Sequence, residues 1–258
     1  MIRKEWSIFL TAIMFYTRIP CPRWVDHSAD MLNKATKYFP LIGWVVGGFA
    51  GAVFFGAYQM LPVSIAVVLS MTASILLTGA FHEDGFADVC DGFGGGWTKE
   101  KILKIMKDSA IGAYGALGMT MMILFKFILL WEISNTKDGL TTAVIMLAAH
   151  SISRANSVFM IFTDQYARDN EDSKAKPVAR QMNFGSFMMA ISIGFLPLVY
   201  FQNLYFLTAI PVLILVKLYL SSYFKKWIGG YTGDCLGAVQ QVSEIILYLM
   251  VLLLWKFI

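Results

Sequence analysis

The sequence predicts an all-α integral membrane protein, a polytopic bundle of about seven transmembrane helices preceded by an interfacial or re-entrant helix. Three observations predict it. The 258-residue chain is 57% hydrophobic and 15% charged, with a mean hydropathy of +0.62, outside the range of an ordinary water-soluble domain. Apolar stretches close to the ~20 residues needed to cross hydrocarbon recur along its length. Hydrocarbon offers no water to backbone polar groups, so such stretches are helices; the two-residue alternation of a membrane barrel is absent.

Taken in order, residues Trp6 to Pro20 are apolar but short, and their flanks lack the small-residue site of a cleavable signal. They form the interfacial or re-entrant helix. Spans follow at Phe39 to Met60, Val63 to Phe81, Ile111 to Ile133, Gly139 to Phe162, Phe184 to Gln202, Leu204 to Phe224 and Gly237 to Phe257. All belong to one membrane-embedded domain covering residues 1–258. Gly43, Gly47 and Gly51 recur every fourth residue, and Gly112, Gly115 and Gly118 every third. Small faces of this kind let a second helix approach closely.

Orientation follows from the basic residues. Of 21 Lys and Arg, 16 fall before Phe39, between His82 and Ala110, between Thr163 and Asn183, or at Lys225 and Lys226, all on one side of the predicted membrane. Lys137 and Lys256 lie on the other side, and Lys126, Arg154 and Lys217 within spans. The positive-inside rule makes the crowded side cytoplasmic. Cys21, Cys90 and Cys235 share that side, where thiols stay reduced, and no pair has zinc-ligand spacing. The net charge of +4 suits either anionic lipid or a phosphorylated substrate.

The stretch from His82 to Gly92 places four carboxylates within nine residues, directly after 44 uncharged residues from Tyr38 to Phe81. Asp84, Asp88 and Asp91 are spaced i, i+4, i+7, so on a helix they share one face about 6 Å apart. Glu83 lies off that face. At an effective dielectric near 20 each adjacent pair repels by roughly 3 kcal/mol, so a partly buried triad must bind cations or take up protons. Hard oxygen ligands without thiolates or paired histidines suit Mg²⁺ or Mn²⁺, ions that commonly bridge carboxylates to phosphate oxygens. The competing reading is a solvated acidic helix end. Gly85 and Gly92 weigh against it, because glycine weakens a helix and makes sense where a ligand or backbone comes close. His82 reads equally as a general base or as an interfacial residue.

Downstream, Thr98 can cap a helix with Glu100 in its first turn, whose Ile102, Ile105 and Met106 oppose Lys99, Lys101, Lys104 and Lys107. It reads as a basic surface helix, with Lys104 or Lys107 in reach of either lipid or a phosphate at the acidic cluster. Arg154, near His150, Ser151, Ser153 and Asn156, lies deep in an apolar span, where a charge costs about 3 kcal/mol and marks function by default; anion binding is the preferred role. The segment Gly229 to Gly237 is a glycine-rich loop ending at a helix start, with Asp234 placed for a metal or substrate hydroxyl and Glu244 a few turns later. The polar segment from Arg168 to Arg180 reads as a loop or a substrate-covering lid.

These motifs resemble one family. HEDGFADVCDG, KILKIMKDSAIGAYG and GGYTGDCLGAVQQVSE, together with the early FYTRIP and YFPLIG stretches, look like cobalamin synthase, the adenosylcobinamide-GDP ribazoletransferase family, over essentially the full length. The resemblance implies a multi-pass, Mg²⁺-dependent transferase of the bacterial cytoplasmic (inner) membrane, its active site facing the cytoplasm. It would join α-ribazole or its 5′-phosphate to adenosylcobinamide-GDP and release GMP. The expected partners are those substrates, membrane lipid and other cobalamin-assembly enzymes, with no nucleic acid. On this reading Asp84, Asp88 and Asp91 hold Mg²⁺ and His82 or a carboxylate is the base. Lys104, Lys107 and Arg154 meet phosphate, while Asp234 and Glu244 complete the metal or nucleoside site. Two other readings compete: a CDP-alcohol phosphotransferase, whose motif expects Arg where Asp88 stands, and a cation-coupled transporter, which usually carries inverted repeats that are not evident here.

Overall fold

The computed structural model describes residues 2–167 and 182–256, and the candidate lid from Arg168 to Arg180 lies outside the described residues. Helices dominate, and the only strand-like pairing among these residues is an isolated parallel bridge between Tyr166 and Tyr231. Helix α1 (Ile2–Tyr16) has a rise of about 22 Å, short of a crossing. It packs Ile8, Ala12 and Tyr16 against Phe39, Ile42 and Val46. The short α2 (Ala29–Ala35) is capped by Ser28 and runs through a 3₁₀ turn (Thr36–Tyr38) into α3 (Phe39–Tyr58). Lys37 and Tyr38 both bond Glu5, at 2.6 and 2.7 Å, and so tie α1 to the start of α3.

Among the described residues, six helical stretches are long and apolar enough to cross a membrane, and a bent pair has the form of a broken span or a re-entrant loop. That pair is α4 (Val63–Thr78) and α5 (Phe81–Gly95), which meet at 87°. Next come α6 (Lys99–Ile105), α7 (Ala113–Thr136) and α8 (Gly139–Thr163). Helix α9 (Phe184–Phe195) is followed by two 3₁₀ turns (Leu196–Phe201 and Leu204–Thr208), then α10 (Ala209–Ile228) and α11 (Gly233–Leu254).

Six of the seven predicted spans are present, with physical reasons for the shifted ends, whereas the stretch from Val63 to Phe81 is one arm of the bent pair. The span beginning at Phe184 leaves α-geometry at Leu196 because Pro197 cannot continue the ladder. The last span begins four residues earlier than expected, since Thr232 accepts the Cys235 N–H and caps the helix. Helix α8 is the central element, with 83% of its apolar window buried. It crosses α3 closely: a Cβ at Gly43, Gly47 or Gly51 would lie 2.4, 2.7 or 2.8 Å from α8 backbone atoms. Ile102 of α6, Met160 of α8, Phe224 of α10 and Cys235 of α11 share one buried cluster, so these termini gather at the end that carries most of the basic residues.

Candidate active site

The 87° corner sets the direction of the acidic helix. Gly79 and Ala80 both adopt left-handed backbone, with φ of 68° and 59°. Gly79 ends α4 in the usual glycine way, and a Cβ there would lie 2.2 Å from Arg18 Nε. The Arg18 amide also bonds the Leu77 carbonyl at 2.7 Å, so the FYTRIP segment braces the corner. Beyond it, Asp84 is exposed while Asp88 and Asp91 are half-buried. Asp91 is engaged at both oxygens: Oδ2 accepts the Gly112 N–H at 2.7 Å and Oδ1 the Gly115 N–H at 2.8 Å. A Cβ at either glycine would collide with that carboxylate. The three-residue glycine face thus seats Asp91 on the first turn of α7, with Gly118 against Cys90.

The second acidic motif crosses the first. A Cβ on Gly85 of α5 would lie 3.0 Å from Asp234 Cα, and one on Gly237 of α11 would lie 3.0 Å from the His82 carbonyl oxygen. The glycines let two backbones touch, which sets Asp234, in the first turn of α11, beside the turn carrying Asp84 and Asp88. The loop before α11 is fixed from outside. Tyr231 donates to the Gln165 carbonyl at 3.0 Å and accepts the Ala167 N–H at 2.8 Å, while a Cβ on Gly230 would meet Gln165 O at 2.2 Å. Lys99 Nζ approaches the Cβ position of Gly229 at 3.5 Å, so the basic helix α6 borders the same loop. Helix α6 folds back on α5 through Gly92, where Met106 and Ile102 fill the space of a side chain.

On its inner face α5 presents His82 and Glu83 to the bundle. The His82 ring stacks on Phe39 at 5.5 Å, and Phe39 in turn stacks on Tyr16 at 4.4 Å. Glu83 is 8% exposed and accepts from Gln241 at 2.9 Å. Below them lies a connected polar network. Lys126 of α7 pairs with Glu244 of α11 at 3.1 Å. Gln240 donates to Glu244 at 2.6 Å, Tyr248 donates to it at 3.3 Å, and His150 Nδ1 lies 3.7 Å from it. Arg154, 1% exposed, donates to the His150 carbonyl at 2.9 Å and contacts His150 Nδ1 at 3.2 Å. Arginine only donates, so in that contact Nδ1 is the acceptor. The Arg154 guanidinium also sits 5.5 Å from the Phe39 ring centre.

With this geometry in place, the family model for cobalamin-5-phosphate synthase matches residues 8–252. The chain belongs to that family. It is similar to the adenosylcobinamide-GDP ribazoletransferase of Shewanella frigidimarina, 43% identical over 96% of this chain and 95% of the relative. It is similar to that of Shewanella sp. strain ANA-3, 44% identical over the same shares. No solved structure matches. Membership makes this protein a transferase of late cobalamin biosynthesis.

In this family member the sequence-predicted residues fall into two groups. Asp84 and Asp88 flank Gly85, against which Asp234 packs where α5 crosses α11, while Asp91 further along α5 is seated on α7, and Lys104 and Lys107 are exposed on and just after α6. Arg154 and Glu244 lie apart from them in the bundle interior, and His82 is buried between the groups. The sequence reading gives no role to Lys126, Gln240, Gln241 or Tyr248, all of which the network joins to Glu244 or Glu83. The available signal was polar residues at Lys126 and from Gln240 to Glu244 inside apolar spans. No three His, Cys, Asp or Glu side chains among the described residues form a ready-made metal cage. The donor set nonetheless fits Mg²⁺, which takes hard oxygen ligands and is usually held by one or two carboxylates plus substrate phosphates.

Proposed function

We propose that this protein transfers the adenosylcobinamide phosphate group of adenosylcobinamide-GDP to α-ribazole or α-ribazole 5′-phosphate, releasing GMP, in a Mg²⁺-dependent reaction. The observation that carries the reading is the α5–α11 crossing at Gly85 and Gly237, which brings the HEDGFAD and TGDCLGA motifs together. The names of the relatives supply the substrates. Asp84 and Asp88 would hold the ion, with Asp234 facing them across Gly85, while Asp91 fixes α5 to α7. Bound there, Mg²⁺ supplies charge neutralisation to a pyrophosphate.

A ribose hydroxyl that is free in both acceptors, and so not the 5′ one, forms a bond through its oxygen to the phosphorus nearest the cobinamide, and the bond from that phosphorus to GMP breaks. A carboxylate of the acidic face takes the hydroxyl proton. His82 is a less suitable base, since its ring is buried in a stack with Phe39. Lys104 and Lys107 are exposed on the basic side, where they can offset phosphate charge. The one-sided distribution of Lys and Arg supports a site facing the cytoplasm in the bacterial inner membrane.

The test is GMP release from purified full-length protein, with each ribazole form, as Mg²⁺ is titrated and then removed with a chelator. Release should require the ion and vanish in Asp84→Ala while membrane insertion persists. Near-normal turnover of Asp84→Ala would overturn the metal assignment. Metal-independent release would overturn the cofactor.

A further inference from the structure

Helix α5 touches α11 at three places. A Cβ on Gly85 would lie 3.0 Å from Asp234 and one on Gly237 3.0 Å from His82, and Gln241 Nε2 donates to Glu83 Oε1 at 2.9 Å. Residues 234, 237 and 241 are spaced by three and four, so one face of α11 makes all three contacts. The glycine contacts set how close the helices come, but bare backbone resists sliding only weakly. The bond between Gln241 and Glu83 is directional. A slip of one turn, about 5.4 Å, would break it and carry Asp234 away from Gly85.

Stability alone is a poor explanation for the pair. Glu83 is 8% exposed and Gln241 1%, and among the described residues Glu83 Oε2 and Gln241 Oε1 are buried without a hydrogen-bond partner. Buried acceptors left unmet are costly, whereas two apolar side chains of similar size would leave none. A buried polar contact of that kind is best attested where it specifies register. Nor does Glu83 meet substrate. The cavity that it borders, with Lys126 in the same wall, has about 20 Å³ of room, enough for about one water. Asp84, the next residue, is the one exposed.

We propose that Glu83 and Gln241 are positioning residues, whose hydrogen bond fixes the register of α5 on α11 and so holds Asp84 and Asp88 opposite Asp234. The assignment rests on the metal site and reaction given under Proposed function. Glu83, in the same motif as the other three carboxylates, then binds neither metal nor substrate. Gln241 also lies next to Gln240, which donates to Glu244 at 2.6 Å and to Ser153 of α8 at 3.2 Å. The register of α5 is thus tied through α11 to the central helix.

Four variants of the full-length protein in lipid nanodiscs test this, read by GMP-release kinetics and by thermal midpoint. Gln241→Met removes the donor and should lower kcat by at least about tenfold while the KM for the cobinamide substrate stays within about twofold. Glu83→Gln puts a neutral hydrogen bond in place of a charged one and should stay within about fivefold of the unaltered kcat. Exchanging the two residues, Glu83→Gln with Gln241→Glu, rebuilds the charged bond in reverse and should restore the rate to the same range. Glu83→Met with Gln241→Met removes both polar groups. It should match or exceed the unaltered protein in thermal midpoint, yet turn over at least about tenfold more slowly.

A Glu83→Gln variant as inactive as Asp84→Ala, or an exchange no more active than Gln241→Met, would overturn the proposal and make Glu83 a ligand or a base. Unreduced turnover in the apolar double variant would also overturn it, as would midpoints that fall in step with the rates. If the unaltered protein releases no GMP, the reaction assignment falls on its own and the midpoints decide: an exchange that recovers what Gln241→Met loses upholds the register contact, and one that does not overturns it. Should Gln241→Met fail to fold, the exchange and the apolar double variant decide.

Discussion

Asp91 on α5 holds the first turn of α7 through Gly115, whose N–H lies 2.8 Å from Oδ1. With the Gly112 N–H on Oδ2, the carboxylate serves two amides that a helix start leaves unsatisfied. Asp91→Ala should therefore lower the thermal unfolding midpoint in detergent, by a loss of about 1–2 kcal/mol. Asp91→Asn keeps one acceptor oxygen, and should retain measurable turnover where Asp84→Ala has none. Complete inactivity of Asp91→Asn with unchanged stability would instead mean that Asp91 acts on the substrate.

A methyl group at Gly85 or Gly237 would lie 3.0 Å from backbone atoms of the facing helix, so the crossing of α5 and α11 would have to open slightly to take it. Gly85→Ala and Gly237→Ala should push the two acidic motifs apart while the rest of the bundle still folds. A displacement of 1 Å at a catalytic site can cost about 100-fold in rate, so the smaller opening needed here should lower turnover by less than that. The check is GMP release at saturating substrate, with expression and detergent elution profile as the folding control; full activity in both variants would refute the role given to this contact.

How much of this was legible in the sequence depends on the range of the interaction. The spans were readable from apolar runs, and the Asp84, Asp88, Asp91 face from helical spacing, because both are local. The corner was not. Gly79 reads as an ordinary helix terminator, and nothing in Ala80 announces a left-handed residue. The glycine face at Gly112, Gly115 and Gly118 was read correctly as a place of close approach, but its contacts are Asp91 and Cys90 rather than another smooth helix. The interior network was the least visible part, since joining Lys126 to Glu244 requires knowing how α7 and α11 are rotated towards each other.

Lys126 and Glu244 make the third prediction. Removing one member of a buried pair strands the other charge, at about 3–5 kcal/mol. Lys126→Met and Glu244→Gln should each lower stability strongly, while the double variant Lys126→Met with Glu244→Met should recover most of the loss. Thermal unfolding of the three variants in the same detergent gives the coupling directly, and additive effects would show that the pair is not coupled.

Asp164, just past the end of α8, gives the pH dependence. Burial raises its pKa, but bonds from Lys217 at 2.5 Å, Ser221 and Thr163 outweigh that effect and hold it below the usual value. A depressed carboxylate contributes stability that is fully present above its unfolded pKa, about 3.9, and is lost as pH falls through the folded value. Asp164→Asn should thus be less stable than the unaltered protein at pH 7, and the gap should close below about pH 4. Because Gln165 and Ala167 pair with Tyr231, the variant should also loosen the loop before Asp234, read as faster amide exchange at Tyr231. A stability gap that does not change with pH would exclude the ionic contribution.

Helix α4 has 16 residues before the corner, and its length fixes two quantities for α5 at once. One inserted residue would shift the corner by about 1.5 Å along the membrane normal and swing α5 through about 100°. Seven inserted residues, nearly two whole turns, would restore its heading to within about 20° yet displace it by about 10 Å. Compass bearing and depth of the acidic helix are thus separately adjustable by insertion length, so α4 insertions can distinguish whether the reaction demands a particular facing or a particular distance from the lipid headgroups.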